Sequence, residues 1–98
     1  MAKDLKKIIH FHQNLIDEKR KILGGFLNQI SNYEKQRDEF EANIKAEKHN
    51  VSNTTNIVAM FYGGYVASTY QKISEVKMKI DELEGSIENI QEEIRLLF

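Results

Sequence analysis

Along the second half of the chain, apolar residues recur every seven positions at Ala59, Val66, Ile73, Ile80, Ile87 and Ile94, with Tyr62, Thr69, Val76, Leu83, Ile90 and Leu97 three residues after each. A repeat of this kind, close to 3.5 residues per turn and sustained over many turns, puts both rows on one side of a helix and predicts a left-handed coiled coil. Strand-type alternation is missing from every long window. Residues 4–47 also read as helix, with Ile8, Leu15 and Ile22 on one seven-residue row and Ile9, Ile16, Leu23 and Ile30 on the row beside it. The apolar stripe is therefore wider here than in the second half, and the second row would give a hairpin another apolar face. Past Phe26 the spacing moves to Ile30, Tyr33, Arg37, Phe40 and Ile44, a shift that predicts local unwinding of the supercoil.

Between the two periodic segments lies His49-Asn50-Val51-Ser52-Asn53-Thr54-Thr55-Asn56, rich in side chains that bond their own backbone and start helices. The expected architecture is an all-α, antiparallel two-helix coiled-coil hairpin forming one domain over residues 1–98. It comprises a helix over about 4–47, a polar loop over about 48–55 and a helix over about 56–98. A turn centred near residue 52 makes facing residue numbers sum to about 103. Lys19, Arg20 and Lys21 then lie opposite Asp81, Glu82 and Glu84, and Lys3, Lys6 and Lys7 approach Glu92 and Glu93. Such surface pairs are worth only tenths of a kcal/mol each, so they select a register more than they hold the fold.

Composition agrees with this architecture. The chain has no proline and no cysteine, which excludes disulfides and thiolate metal sites and is compatible with a reducing compartment. Net charge is −1, too little for electrostatic capture of nucleic acid. The charge is divided, with ten basic and eight acidic side chains over residues 1–49 and four and seven over residues 50–98. Two halves of opposite sign attract one another. The start of the chain has Lys3, Lys6 and Lys7 before a short apolar patch interrupted by His10, His12 and Gln13, and reads as neither a signal peptide nor a membrane span. A basic amphipathic helix can lie on anionic lipid. The acidic residues expected across the hairpin argue against that here, and a polar face interleaved with Asp17, Glu18, Glu34, Asp38 and Glu39 reads as solvated.

No nucleophile and base, phosphate loop or metal spacing occurs, so catalytic, cofactor and metal residues are expected to be none. His10 and His12 are two residues apart and fall on different helix faces, which rules out joint ligation. His12 shares the row of Ile8 and Leu15 and reads as a hydrogen-bonded or partly exposed histidine of the coiled coil. The sequons Asn50-Val51-Ser52 and Asn53-Thr54-Thr55 read as loop residues.

One stretch departs from the helix-forming background. Met60-Phe61-Tyr62-Gly63-Gly64-Tyr65 sets three aromatics around two glycines, each glycine costing about 1 kcal/mol relative to Ala in a helix. With Tyr62 in the seam, Phe61 points away from it, Gly64 takes an outer position and Tyr65 flanks the seam. Outward aromatics are what protein interfaces use. A satellite cluster of Phe61 and Tyr65 with Phe40 and Ile44, over a tolerated helix bend, accounts for the same residues.

Two blocks together resemble the FliJ-type flagellar export proteins. Ile8-Ile9-His10-Phe11-His12-Gln13-Asn14-Leu15-Ile16-Asp17-Glu18-Lys19-Arg20-Lys21-Ile22-Leu23 is similar to the first-helix block of the alphaproteobacterial members. Phe61-Tyr62-Gly63-Gly64-Tyr65, followed by Glu82-Leu83-Glu84 and Ile87, is similar to the aromatic-glycine block that opens their second helix. The family's tryptophan is absent, with Asn14 near its place. The apolar end Arg95-Leu96-Leu97-Phe98 stands where members run on for several turns, which reads as a truncated chain. The resemblance implies a nonenzymatic, cytoplasmic component peripheral to the flagellar basal body. Such proteins are stalk-like coiled coils that associate with the export ATPase ring, the export-gate membrane protein and export chaperones. It also implies partner contacts at Phe61, Tyr62, Gly64 and Tyr65 and at Asp17, Glu18 and Arg20, with no cofactor and no nucleic-acid partner. A structural coiled-coil oligomer unrelated to export is the alternative, with a monomer favoured over a homo-oligomer.

Overall fold

The computed structural model describes residues 2–51 and 56–98, with side chains described over 2–49 and 63–98. It contains two helices, α1 (Ala2–Val51) and α2 (Asn56–Leu97), packed against each other as an all-α antiparallel hairpin. No strand occurs among the described residues. α1 continues through Lys48, His49, Asn50 and Val51, which the sequence pattern assigns to the loop. Lys48 lies in its last turn, where positive charge complements the partial negative charge of a helix C-terminus. Ser52, Asn53, Thr54 and Thr55, the remainder of the expected loop, lie outside the described residues.

The chain divides into two compact units, each built from part of both helices: Met1–Ile30 with Glu82–Phe98, and Ser31–Asp81. In the first, Ile16, Ile87 and Ile90 are buried, and Leu23, Phe26, Ile30, Leu83, Ile94 and Leu97 are half-buried beside them. In the second, Ile44, Thr69, Ile73, Val76 and Ile80 are buried, with Tyr33, Phe40 and Val66 half-buried. Two helices can bury only a narrow seam, so no described side chain falls below 2% exposure. The only buried polar residue described is Thr69, whose hydroxyl donates to the Tyr65 carbonyl one turn earlier at 2.8 Å and so is not left unpaired.

On α2 the seam follows the heptads read from the sequence: the described seam positions from Val66 to Leu97 are buried or half-buried, and nearly everything between them is exposed. On α1 the seam differs from expectation. Its shielded residues are Ile16, Lys19, Leu23, Phe26, Ile30, Tyr33, Arg37, Phe40 and Ile44, alternating steps of three and four throughout. The row of Ile16, Leu23 and Ile30 is thus the seam itself, and it continues to Arg37 and Ile44 without the shift expected past Phe26. Ile8 and Ile22, on the neighbouring row, are exposed, and Leu15 is half-buried.

Two seam positions on α1 are therefore cationic. Each keeps its aliphatic stem along the apolar seam and carries its charge outward. The Lys19 ammonium lies 3.0 Å from the Glu93 carboxylate, and the Arg37 guanidinium lies 3.3 Å from Asp38. The first pair overturns the expected register in its unit. Lys19 meets Glu93 rather than Asp81, Glu82 or Glu84, a displacement along α2 of about two and a half turns. In the other unit Lys72 lies over the Phe40 ring at 6.0 Å, a pairing displaced in the same direction. In both pairs the α1 residue thus faces an α2 residue about nine positions higher than expected.

Candidate docking surface

The sequence-predicted contact residues fall into three sets. Phe61 and Tyr62 belong to α2, but their side chains lie outside the described residues.

Gly64 and Tyr65 are described and belong to the unit Ser31–Asp81. Both are exposed and helical. A methyl group added at Gly63 or Gly64 would meet nothing within 4 Å, so neither glycine is required by packing within the chain. Neither has a positive φ, so no backbone conformation demands glycine either. The Tyr65 ring is 41% exposed, and Tyr70, five residues on, is 57% exposed. The helix thus carries a bare backbone patch followed by two solvent-facing aromatics. Five residues apart, the two side chains lie roughly 140° apart round the helix and face different sides. In the same unit Phe40 is half-buried beneath Lys72, and Ile44 is buried. Tyr33, Phe40, Lys72 and Val76 help line a hollow of about 200 Å³.

Asp17, Glu18 and Arg20 belong to the unit Met1–Ile30 with Glu82–Phe98. Asp17 and Glu18 are exposed and, with Asn14 and Lys21, line a shallow groove of about 480 Å³ along one helix face. Arg20 turns the other way, its guanidinium 5.5 Å from the centre of the Phe98 ring. Gln13, Ile16, Asp17, Arg20 and Phe98 line a second hollow of about 310 Å³. Phe98 is a member of this surface that sequence reading did not select; its signal was an aromatic closing the apolar run Leu96-Leu97-Phe98. Nearby, the His12 ring N–H donates to the Leu97 carbonyl, in keeping with the hydrogen-bonded histidine expected there.

Electrostatics at the end of α2 are local. Arg95 donates to Glu92 at 2.5 Å and 2.9 Å, holding that carboxyl below its ordinary range and raising the guanidinium in return. Both groups are solvated, so the pair orders a helix end more than it stabilises the fold. Among the described residues, no group of three or more His, Asp or Glu side chains is arranged to hold a metal ion. No described helix is long and apolar enough to cross a membrane.

The geometry defines an all-α two-helix hairpin with solvent-facing aromatic and charged residues. No protein-family model matches the sequence, and no curated protein or solved structure matches it.

Proposed function

We propose that the protein acts by contact, as a nonenzymatic stalk-like coiled coil of flagellar type III export, associating with the export ATPase ring, the export-gate membrane protein and export chaperones at the basal body. The observation that carries this reading is the aromatic-glycine block of α2. Gly64 and Tyr65 are exposed, and a methyl group at Gly64 would meet nothing within 4 Å, so packing among the described residues does not call for glycine there. The resemblance of that block and of residues 8–23 to FliJ-type proteins supplies the partner class. The test is ATP hydrolysis by the cognate export ATPase with the hairpin added. Stimulation that Tyr65→Ala reduces, with the melting temperature unchanged, is the expected result. No effect on hydrolysis or ring assembly contradicts it.

A second reading rests on a different observation. Ile8 and Ile22 lie exposed beside the α1 seam, the arrangement a hairpin needs to join others in a scaffold. Melting that shifts upward with protein concentration favours that reading.

A further inference from the structure

The hollow of about 200 Å³ in the unit Ser31–Asp81 takes its lining from both helices. Its apolar part is Tyr33 and Phe40 of α1 and Val76 of α2, which are half-buried or buried. Its rim is polar and exposed, with Gln36 on the α1 side and Lys72, Glu75 and Lys79 on the α2 side. An apolar cavity of about 150 Å³ holds a benzene-sized group, so this hollow has room for one large side chain.

Lys72 and Lys79 stand two turns apart, about 10.5 Å along the helix axis, with Glu75 between them. The rim therefore reads positive, negative, positive along α2. The Lys72 ammonium lies over the Phe40 ring at 6.0 Å. Glu75 and Lys79 have the spacing of a helical ion pair, yet none of the three charges is ion-paired among the described residues. On the facing wall of the hollow α1 offers only the neutral Gln36. Three charges thus surround an apolar opening and contribute no pair to the hairpin. Seven residues before Lys72, on the same row of α2, Tyr65 is 41% exposed and carries the apolar surface further along this flank.

We propose that the hollow docks a helix of a partner protein that carries two carboxylates seven residues apart, with an apolar and a basic side chain between them. The apolar side chain enters between Tyr33 and Phe40, the carboxylates meet Lys72 and Lys79, and the base meets Glu75. A partner helix laid along α2 repeats the two-turn spacing of the lysines, so its charges fall opposite theirs. A single small anion fits less well, because one drawn to both lysines also faces Glu75. A uniformly anionic lipid surface meets the same carboxylate and does not reach into a recessed opening. Recognition of this kind needs no export component, so it and the export reading fail independently.

The probes are two fluorescently labelled, alanine-based helical peptides. The first has Glu at positions i and i+7, Leu at i+3 and Arg at i+4; the second has Lys for both Glu and Glu for Arg. Fluorescence anisotropy with the full chain at low salt is expected to show the first peptide bound at least about tenfold more tightly than the second. The triple variant Lys72→Glu, Glu75→Lys, Lys79→Glu should invert that preference. Its helical circular dichroism should match the parent, because all three side chains are exposed and unpaired. Replacing the peptide's Leu by Ala should weaken binding about tenfold. Equal binding of the two peptides, no binding of either, or a preference that survives charge reversal overturns the proposal. Binding indifferent to the Leu side chain also overturns it, since the hollow would then stay empty. Flotation of the parent chain with phosphatidylglycerol vesicles, abolished by the triple variant, would assign the face to lipid instead.

Discussion

Gly64 and Lys19 each hold a position that packing alone would fill differently. Gly64 is a helical, exposed residue with open space where a Cβ would stand. Gly64→Ala should therefore stabilise the hairpin by up to about 1 kcal/mol, read as a rise in melting temperature. If the bare backbone serves a partner, the same variant should bind the export ATPase more weakly, and unchanged binding would reduce the glycine to a tolerated helix residue. Lys19 lies in the seam and is tied outward to Glu93. Lys19→Leu gives up a pair worth at most about 1 kcal/mol and gains burial worth about 2 kcal/mol, so net stabilisation is expected in chemical denaturation. Destabilisation would show that Lys19 is not a seam residue. Glu92 offers a check on the C-terminal turn. A carboxyl held low in the folded state contributes stability above its unfolded value and loses it as pH falls through the folded one. Arg95→Gln should raise the Glu92 titration midpoint measured by nuclear magnetic resonance, and an unmoved midpoint would contradict the pair.

At the scale of the helices, the two arms differ in how plainly the sequence displays their packing. α2 has one apolar row pair bounded by charged residues, and its heptads coincide with the buried positions Thr69, Ile73, Val76, Ile80, Ile87 and Ile90. α1 carries two adjacent rows differing by one residue, about 100° of rotation, and periodicity alone cannot choose between them. The choice was obscured because the true seam contains Lys19 and Arg37, whose charges hide its continuity. The register is hidden for a related reason. Flanking charges point to a different one, but pairs worth tenths of a kcal/mol yield to seam packing worth several. Of the candidate contact positions, the exposure of Gly64 and Tyr65 was legible from heptad position, whereas the Arg20 contact with Phe98 depended on the register. The row assignment makes a sharp prediction. Leu23→Ala should cost about 2 kcal/mol or more and Ile22→Ala under about 1 kcal/mol, and the reverse order would restore the row of Ile8 and Ile22 as the seam.

At the scale of the whole chain, the proposed function requires that both arms of the hairpin come from one molecule and pair in one register. Melting should then be independent of protein concentration, whereas a scaffold assembled through Ile8 and Ile22 would melt higher as concentration rises. The absence of native cysteine permits a direct measurement, with spin labels attached at pairs of introduced cysteines and the distance between them read by electron paramagnetic resonance. Labels at positions 19 and 93 should give the shorter distance, because position 84 lies about 13 Å further along the α2 axis. The 19–93 distance should also persist when labelled protein is diluted with unlabelled protein. A shorter distance for 19–84, or a signal that disappears on dilution, would contradict the intramolecular hairpin in this register.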